Sequence, residues 1–196
     1  MLARSRSEAL AAAGYVAVAP DVFWRLQPGF VADGPDDVET AMALGGRFFT
    51  EVTDEQRAAD LAAALAHVRA LPEVAGHKAG VLGYCLGGTL AYLLATTGDP
   101  DACVSYYGSG VPGMLDLADR LSCPTLFHFG DSDPYLPFEG VQQVQQRFAD
   151  RQRVEVVVHP GAGHAFENLT NPMFADPEAA AKSWPRTLGF LGRTLQ

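Results

Sequence analysis

The chain has 196 residues, of which 48% are hydrophobic, and a formal net charge of -9 at pH 7. This length supports one sizeable core, so we expect a single domain over residues 1–196. The acidic balance argues against nucleic acid and anionic membrane surfaces as partners, and no apolar stretch is long enough to span a bilayer. Three cysteines, an odd number without paired metal-ligand spacing, argue against a disulfide framework and a zinc site, and indicate a reduced cytoplasmic protein.

The predicted elements alternate between helices and strands along the chain. Alanine-rich or amphipathic patterns with start and stop signals predict five helices: Ala3–Ala13, Asp54–Ala70, Leu86–Thr97, Phe138–Phe148 and Pro177–Leu195. Short apolar runs bounded by turn residues predict five buried strands: Tyr15–Ala19, Ala79–Gly83, Ala102–Tyr107, Thr125–Gly130 and Val154–His159. This alternation indicates βαβ units, and therefore an α/β fold with a mostly parallel sheet and helices on both faces.

In such a fold, ligands bind at the carboxyl ends of the strands. The polar segment Phe23–Val52, which contains Pro28, Gly29, Gly34, Pro35, Gly45 and Gly46, is too long for a simple connection. We expect it to lie over this edge of the sheet as a partial cap.

A reactive cysteine is indicated by the run Gly83-Tyr84-Cys85-Leu86-Gly87-Gly88, which joins a predicted strand to a predicted helix. This pattern is typical of a nucleophile elbow with cysteine in place of serine. In the tight turn, Gly83 and Gly87 are expected to make room for Cys85. The N-terminus of the following helix favours the thiolate, and the backbone N–H of Leu86 is expected to donate to an oxyanion.

An acid and a base follow later strands. Asp133 follows Thr125–Gly130 and is our choice for the acid, with Asp131 as the competing candidate whose other role is to cap the turn. His164 lies in a glycine-rich loop after Val154–His159, whereas His159 still belongs to the strand end, so His164 is the preferred base. The order nucleophile, acid, histidine is that of the α/β-hydrolases. We expect Cys85 to attack a carbonyl, His164 to exchange protons and Asp133 to orient the imidazole.

These segments, together with Tyr106-Tyr107-Gly108 and Phe127-His128-Phe129-Gly130, resemble the dienelactone hydrolase family from about Ala9 to Leu191. The resemblance implies an α/β-hydrolase-like three-layer sandwich and a Cys-His-Asp triad that hydrolyses a lactone or ester through a thioester acyl-enzyme. It also implies a strand before the first helix that carries a second oxyanion donor and a glutamate. Since the sequence starts at the helix, we expect an N-terminally shortened form, in which Tyr15–Ala19 and Ala79–Gly83 close up or another chain fills the gap.

The resemblance further implies substrate-binding residues. Arg25 matches one of the family's carboxylate-binding arginines, but Asn168 stands at the position of the other. Arg25 is thus a candidate partner for a substrate carboxylate, or else a solvated charge. Trp24 and Tyr107 are candidate pocket-lining residues, with core packing as the alternative role.

The sequence therefore predicts a carboxylic-ester or lactone hydrolase without a cofactor or metal, acting on a small-molecule substrate as a monomer or dimer. A second hypothesis is a catalytically weak or inactive binding or redox-responsive protein that retains the reactive cysteine. A cysteine-dependent amidotransferase is less favoured, because the acid comes on its own strand loop, away from the histidine.

Overall fold

The computed structural model describes residues 2–32 and 37–196. The chain divides into two compact units, Met1–Val74 and Ala75–Gln196. The single domain expected from the chain length stays a prediction. Among the described residues, no helix combines the length and the apolar character that a bilayer span requires.

The first unit is built from helices in its described part: α1 (Leu2–Ala12), α2 (Asp37–Glu51) and α3 (Asp54–Ala70). A capping box fixes the start of α3. The Thr53 hydroxyl accepts the N–H of Gln56, and the Gln56 side chain accepts the N–H of Thr53. Apolar side chains four residues apart on α2 and α3 are buried, which is the spacing of one helix face: Leu44, Phe48, Leu61 and Leu65.

The predicted strand Tyr15–Ala19 was wrong. This segment belongs to no sheet of the described chain, and Val16 and Val18 are 47% and 44% exposed. Its apolar composition is strand-like, but a strand is stable only when a neighbour accepts and donates its backbone hydrogen bonds. No such neighbour pairs with it among the described residues, so Tyr15–Ala19 and Ala79–Gly83 do not close up into one sheet.

The interpretation of Phe23–Val52 as a polar connection was also wrong in part, because residues 37–51 form α2. The glycine pair at 45 and 46 indicated a loop, yet Leu44 and Phe48 supply an apolar face. Gly34 and Pro35 of this segment lie outside the described residues. The role of the segment as a partial cap stays a prediction.

The second unit contains a parallel sheet of four strands: β1 (Val81–Tyr84), β2 (Cys103–Tyr106), β3 (Thr125–Gly130) and β4 (Val154–His159). The strands lie side by side in this order, and their register aligns Tyr84 with Tyr106 and Tyr106 with His128. Between them run α4 (Leu86–Thr97), the 3₁₀ helix Val111–Arg120 and α5 (Phe138–Phe148), and α6 (Pro177–Leu195) follows β4. The carboxyl ends of all four strands therefore meet at one edge.

Alternate residues of β3 face the two helical layers. Phe127 packs against Tyr92 of α4 and Phe148 of α5, with ring centroids 5.8 and 5.6 Å away. His128, the next residue, faces the other way and contacts Thr187 of α6. Helices thus cover both faces of a parallel sheet, which confirms the α/β fold class. The four later strands and all five helices predicted from sequence match to within about two residues, whereas the 3₁₀ helix was missed.

Candidate active site

Cys85 occupies the turn between β1, which ends at Tyr84, and α4, which begins at Leu86. Its backbone has φ 55° and ψ -119°, a conformation that L-residues rarely adopt. The turn is held by the N–H of Cys85, which donates to the carbonyl of Tyr106, and by the N–H of Thr89, which donates to the carbonyl of Cys85. The side chain of Cys85 is consequently exposed at the carboxyl edge of the sheet.

Two glycines allow α4 to approach the strands closely. A Cβ at Gly83 would lie 1.9 Å from the carbonyl oxygen of Gly87, and a Cβ at Gly88 would lie 2.5 Å from the carbonyl oxygen of Tyr106. At Gly87 an added Cβ meets nothing within 4 Å. The expectation that Gly87 makes room was therefore wrong. Gly83 and Gly88 provide the close approach, because their Cβ positions face backbone atoms that cannot move aside.

The imidazole of His164 lies between Cys85 and Asp133. Its Nε2 is 3.0 Å from Sγ of Cys85, and its Nδ1 is 2.7 Å from Oδ2 of Asp133. His164 is 8% exposed and Asp133 is 6% exposed, so both side chains are largely removed from water. In this arrangement Nδ1–H donates to the carboxylate, and Nε2 faces the sulfur.

The second oxygen of Asp133 is used by the backbone. Oδ1 accepts the N–H of Tyr135 at 2.8 Å and the N–H of Leu136 at 3.2 Å, which is an Asx turn. The carboxylate thus has donors on both oxygens and is fixed in direction. Tyr135, whose ring centroid lies 5.0 Å from that of His164, was not singled out from sequence. Its position two residues after the acid in an Asx turn is the signal that indicates it.

Asp131 serves the loop that carries His164. Its Oδ1 accepts the N–H of Gly161 at 2.7 Å and the hydroxyl of Ser132 at 3.0 Å. Gly130 lies against the same loop, since a Cβ there would be 2.0 Å from the carbonyl oxygen of Ala162. Asp131 therefore joins two loops at the carboxyl edge, and its carboxylate is not within hydrogen-bond contact of His164.

The electrostatics of His164 favour its charged form. Burial lowers the pKa of His164, but the hydrogen bonds and charges of Asp133 and Cys85 outweigh it and raise this pKa from 6.5 to about 9. At neutral pH the ring is therefore largely imidazolium. An imidazolium 3.0 Å from Sγ stabilises a thiolate at Cys85. The arrangement can deliver a sulfur nucleophile and then a proton to the same small volume.

His159 belongs to a different, buried chain of hydrogen bonds. Its Nε2 is 3.0 Å from Nδ1 of His128, whose Nε2 is 3.1 Å from the hydroxyl of Thr187, which in turn contacts the hydroxyl of Tyr106 at 2.6 Å. Burial, helped by the charges of His159 and Arg186, holds the pKa of His128 well below its ordinary value. Burial also lowers the pKa of His159. These neutral rings link β2, β3 and β4 to α6 beneath the His164 loop.

Backbone strain is concentrated around this edge. Cys85, Tyr107 and Ala165 are the non-glycine residues with positive φ in the described chain, with values of 55°, 38° and 55°. They directly follow β1, β2 and His164 respectively. Such strain persists only where the surroundings hold it in place, and it clusters at functional sites.

Tyr107 is fully buried and contacts the imidazole from below. Its ring centroid is 5.1 Å from that of His164 and 5.2 Å from that of Phe166. Burial raises the pKa of its hydroxyl well above the ordinary value, and that hydroxyl has no hydrogen-bond partner among the described residues. Its role in substrate binding stays a prediction.

Arg25 and Trp24 lie in the first unit and both bind Asp60. Nε and Nη2 of Arg25 are 2.7 and 2.8 Å from the two carboxylate oxygens, and Nε1 of Trp24 is 3.1 Å from Oδ2. The guanidinium also lies over the Trp24 ring at 4.5 Å from its centroid. Arg25 is thus a paired charge rather than a solvated one, and its binding of a substrate carboxylate stays a prediction. Within residues 2–32 and 37–196, no cluster of three His, Cys, Asp or Glu side chains is arranged to hold a metal ion.

Comparison with known proteins decides the family. The model of the dienelactone hydrolase family matches residues 3–195. This chain belongs to the dienelactone hydrolase family. It is 38% identical over 184 residues to a carboxymethylenebutenolidase of Pseudomonas sp. (strain P51), covering 94% of this chain and 75% of that protein. It is 34% identical over 190 residues to carboxymethylenebutenolidase 1 of Cupriavidus pinatubonensis, covering 96% of this chain and 78% of the relative.

A solved structure gives the same result for the fold. A dienelactone hydrolase-like promiscuous phosphotriesterase from metagenomic libraries superposes with a TM-score of 0.81 at 26% identity, covering 100% of this chain and 81% of that one. The chain is therefore an enzyme of the hydrolase class with the α/β-hydrolase fold, which confirms the resemblance inferred from the sequence motifs.

Proposed function

We propose that this dienelactone hydrolase family member hydrolyses lactones or carboxylic esters through Cys85, His164 and Asp133. The observation that carries the proposal is the continuous contact from Sγ through the imidazole to the carboxylate, at 3.0 and 2.7 Å. The relatives named carboxymethylenebutenolidase support a lactone as substrate.

The proposed reaction has two halves. In the first, the thiolate of Cys85 forms a bond to the carbonyl carbon, and the C–O bond of the ester breaks. His164 gives its Nε2 proton to the leaving oxygen, which in a lactone remains attached to the acyl group. In the second half, a water molecule attacks the thioester while His164 takes its proton, and the sulfur leaves as thiolate with release of the carboxylic acid.

Two groups support these steps. Asp133 keeps Nδ1 protonated and stabilises the imidazolium, so that Nε2 points at the sulfur in both halves. The oxyanion of each tetrahedral intermediate needs a donor, and Leu86 is the first residue of α4, where backbone N–H groups have no partner within the helix. We assign this N–H as one oxyanion donor.

The test is the hydrolysis of para-nitrophenyl butyrate by the wild type, Cys85→Ala and a matched control, Cys123→Ala. Cys123 is a free thiol buried in the core, with Thr125 as its hydrogen-bond partner. Cys85→Ala is expected to abolish turnover, Cys123→Ala to retain it, and acid-quenched wild type to carry one butyryl group on Cys85 by mass spectrometry. Undiminished turnover by Cys85→Ala would contradict the proposal.

The alternative function, a binding or redox-responsive protein with weak or no catalysis, draws on the same exposed sulfur beside an imidazolium. Alkylation of Cys85 separates the two. Rapid alkylation together with ester turnover supports the hydrolase, whereas rapid alkylation without turnover supports the alternative. We place the protein in the reducing cytoplasm on the basis of its three free cysteines.

A further inference from the structure

The loops at the carboxyl edge of the sheet contain no cationic side chain. Lys and Arg are missing from residues 79–119, 121–146 and 154–181, which include every residue that follows β1, β2, β3 or β4 at that edge. Cys85, Asp133 and His164 all lie in these stretches. Apart from the imidazolium itself, the positive charge of the second unit is therefore located elsewhere.

The cations of the second unit are engaged away from this edge. Arg186 and Arg193 bind Glu155, the second residue of β4, at the amino end of that strand. Most of the others pair with acids or carbonyl groups outside the strand-end loops: Arg147 and Arg151 with Asp119, Lys182 with Glu178, Arg153 with Ser122, and Lys78 with Thr194. None of them appears among the charges that act on His164, which come from Asp133 and Cys85.

Buried acids lie at the same edge. Asp133 contacts His164, and Glu167, three residues further along the His164 loop, is only 1% exposed and accepts the hydroxyl of Ser183. The charge of Glu167 acts on Tyr107, whose ring contacts His164. The reacting carbon is thus surrounded by a thiolate and two acids, with one imidazolium to balance them.

We propose that this active site selects uncharged acyl groups, so that esters and lactones without a carboxylate on the acyl part react in preference to those that carry one. This inference rests on the proposed function and specifies its substrate class. A carboxylate entering the site leaves water, meets Asp133 and Glu167 as like charges, and finds no Lys or Arg in the second unit's strand-end loops. An alkyl group of the same size leaves water at no such cost and buries apolar surface.

Arg25 in the first unit does not change this balance. Its guanidinium already binds both oxygens of Asp60, so the pair has no net charge. A substrate carboxylate at Arg25 must compete with an intramolecular carboxylate that is permanently in place.

The experiment compares two para-nitrophenyl esters of equal chain length, the hexanoate and the mono-ester of adipic acid, which differ by a methyl group against a carboxylate. After subtraction of spontaneous hydrolysis, kcat/KM is expected to be about tenfold or more higher for the hexanoate. Equal values, or a preference for the adipate ester, would overturn the inference. Hexanoate turnover no faster than that of Cys85→Ala would instead defeat the proposed function, so the two failures are distinguishable.

A matched pair of variants tests the electrostatic cause. Asn168 is half-buried, four residues after His164, and its N–H donates to the carbonyl of Ala165. Asn168→Arg adds a positive charge to the His164 loop and is expected to narrow the hexanoate-to-adipate ratio at least threefold, whereas Asn168→Gln is expected to leave it unchanged. A ratio that is the same in both variants would refute the electrostatic explanation, because shape alone would then account for the selectivity.

Discussion

Gly83, the last residue but one of β1, offers the sharpest prediction on stability. An alanine there would place its Cβ 1.9 Å from the carbonyl oxygen of Gly87, 2.2 Å from the carbonyl carbon of Gly87 and 2.8 Å from the backbone nitrogen of Gly88. All three atoms belong to the backbone of the first turn of α4, so no side-chain rotation relieves the overlap. The helix must move away from the strand, and with it the turn that carries Cys85.

The expected cost of Gly83→Ala is about 3 kcal/mol or more, the upper range for overpacking a buried site. For a chain of this length, that corresponds to a fall in Tm of roughly 6 to 12 °C. Gly87→Ala is the matched control in the same turn, since its Cβ meets nothing within 4 Å. Alanine in a helix stabilises by up to about 1 kcal/mol over glycine, so Gly87→Ala is expected to leave Tm unchanged or to raise it slightly.

The assay is thermal unfolding of both variants beside the wild type, followed by circular dichroism at one scan rate. The reasoning is refuted if Gly83→Ala melts within about 2 °C of the wild type, a shift of less than about 1 kcal/mol. It is equally refuted if Gly87→Ala is the more destabilised of the two, because the order of the two effects follows directly from the two Cβ environments.

Two further predictions concern protons. Asp133→Asn removes the carboxylate that raises the pKa of His164, so NMR titration of the ring is expected to give a midpoint well below 9, with kcat reduced on the order of a thousandfold or more; Asp131→Asn, the control, is expected to keep the midpoint near 9, and equal shifts would contradict the assignment. His128 and His159 have lowered pKa values when folded, so they cost stability as pH falls below about 6.5, where the unfolded rings bind protons. His164 has a raised pKa, so its contribution is complete below about 6.5 and is lost as pH rises towards 9. Tm measured from pH 5 to pH 9 is therefore expected to peak near pH 6.5, and a Tm that rises steadily across this range would exclude these assignments.

Much of the second unit was predictable because its signals are local. Each of β1 to β4 is a short apolar run between turn residues, and β3 and β4 have the bounds that the sequence predicts. The elbow around Cys85 and the loops with Asp133 and His164 follow these strands directly, so topology alone brings their side chains to one edge. The choice between neighbouring residues used the same information, namely which of two candidates lies in the loop beyond the strand.

The failures concern what depends on distant neighbours. Tyr15–Ala19 has a strand-like composition, but pairing requires a second strand that its own sequence does not contain. The glycine pair in α2 indicated a loop, although the packing of Leu44 and Phe48 outweighs the propensity of two glycines. Glu167 gives no local signal of burial, because its environment is created by α6, which is distant in sequence.

The positive φ of Cys85 has a consequence for how the sequence is selected. At φ 55° a glycine is the least strained residue, and a side chain there costs on the order of 1 kcal/mol or more. A search for higher melting temperature alone would therefore replace the sulfur-bearing residue first. Its presence at the most unfavourable backbone position of the edge indicates that stability has been given up at this residue for reactivity.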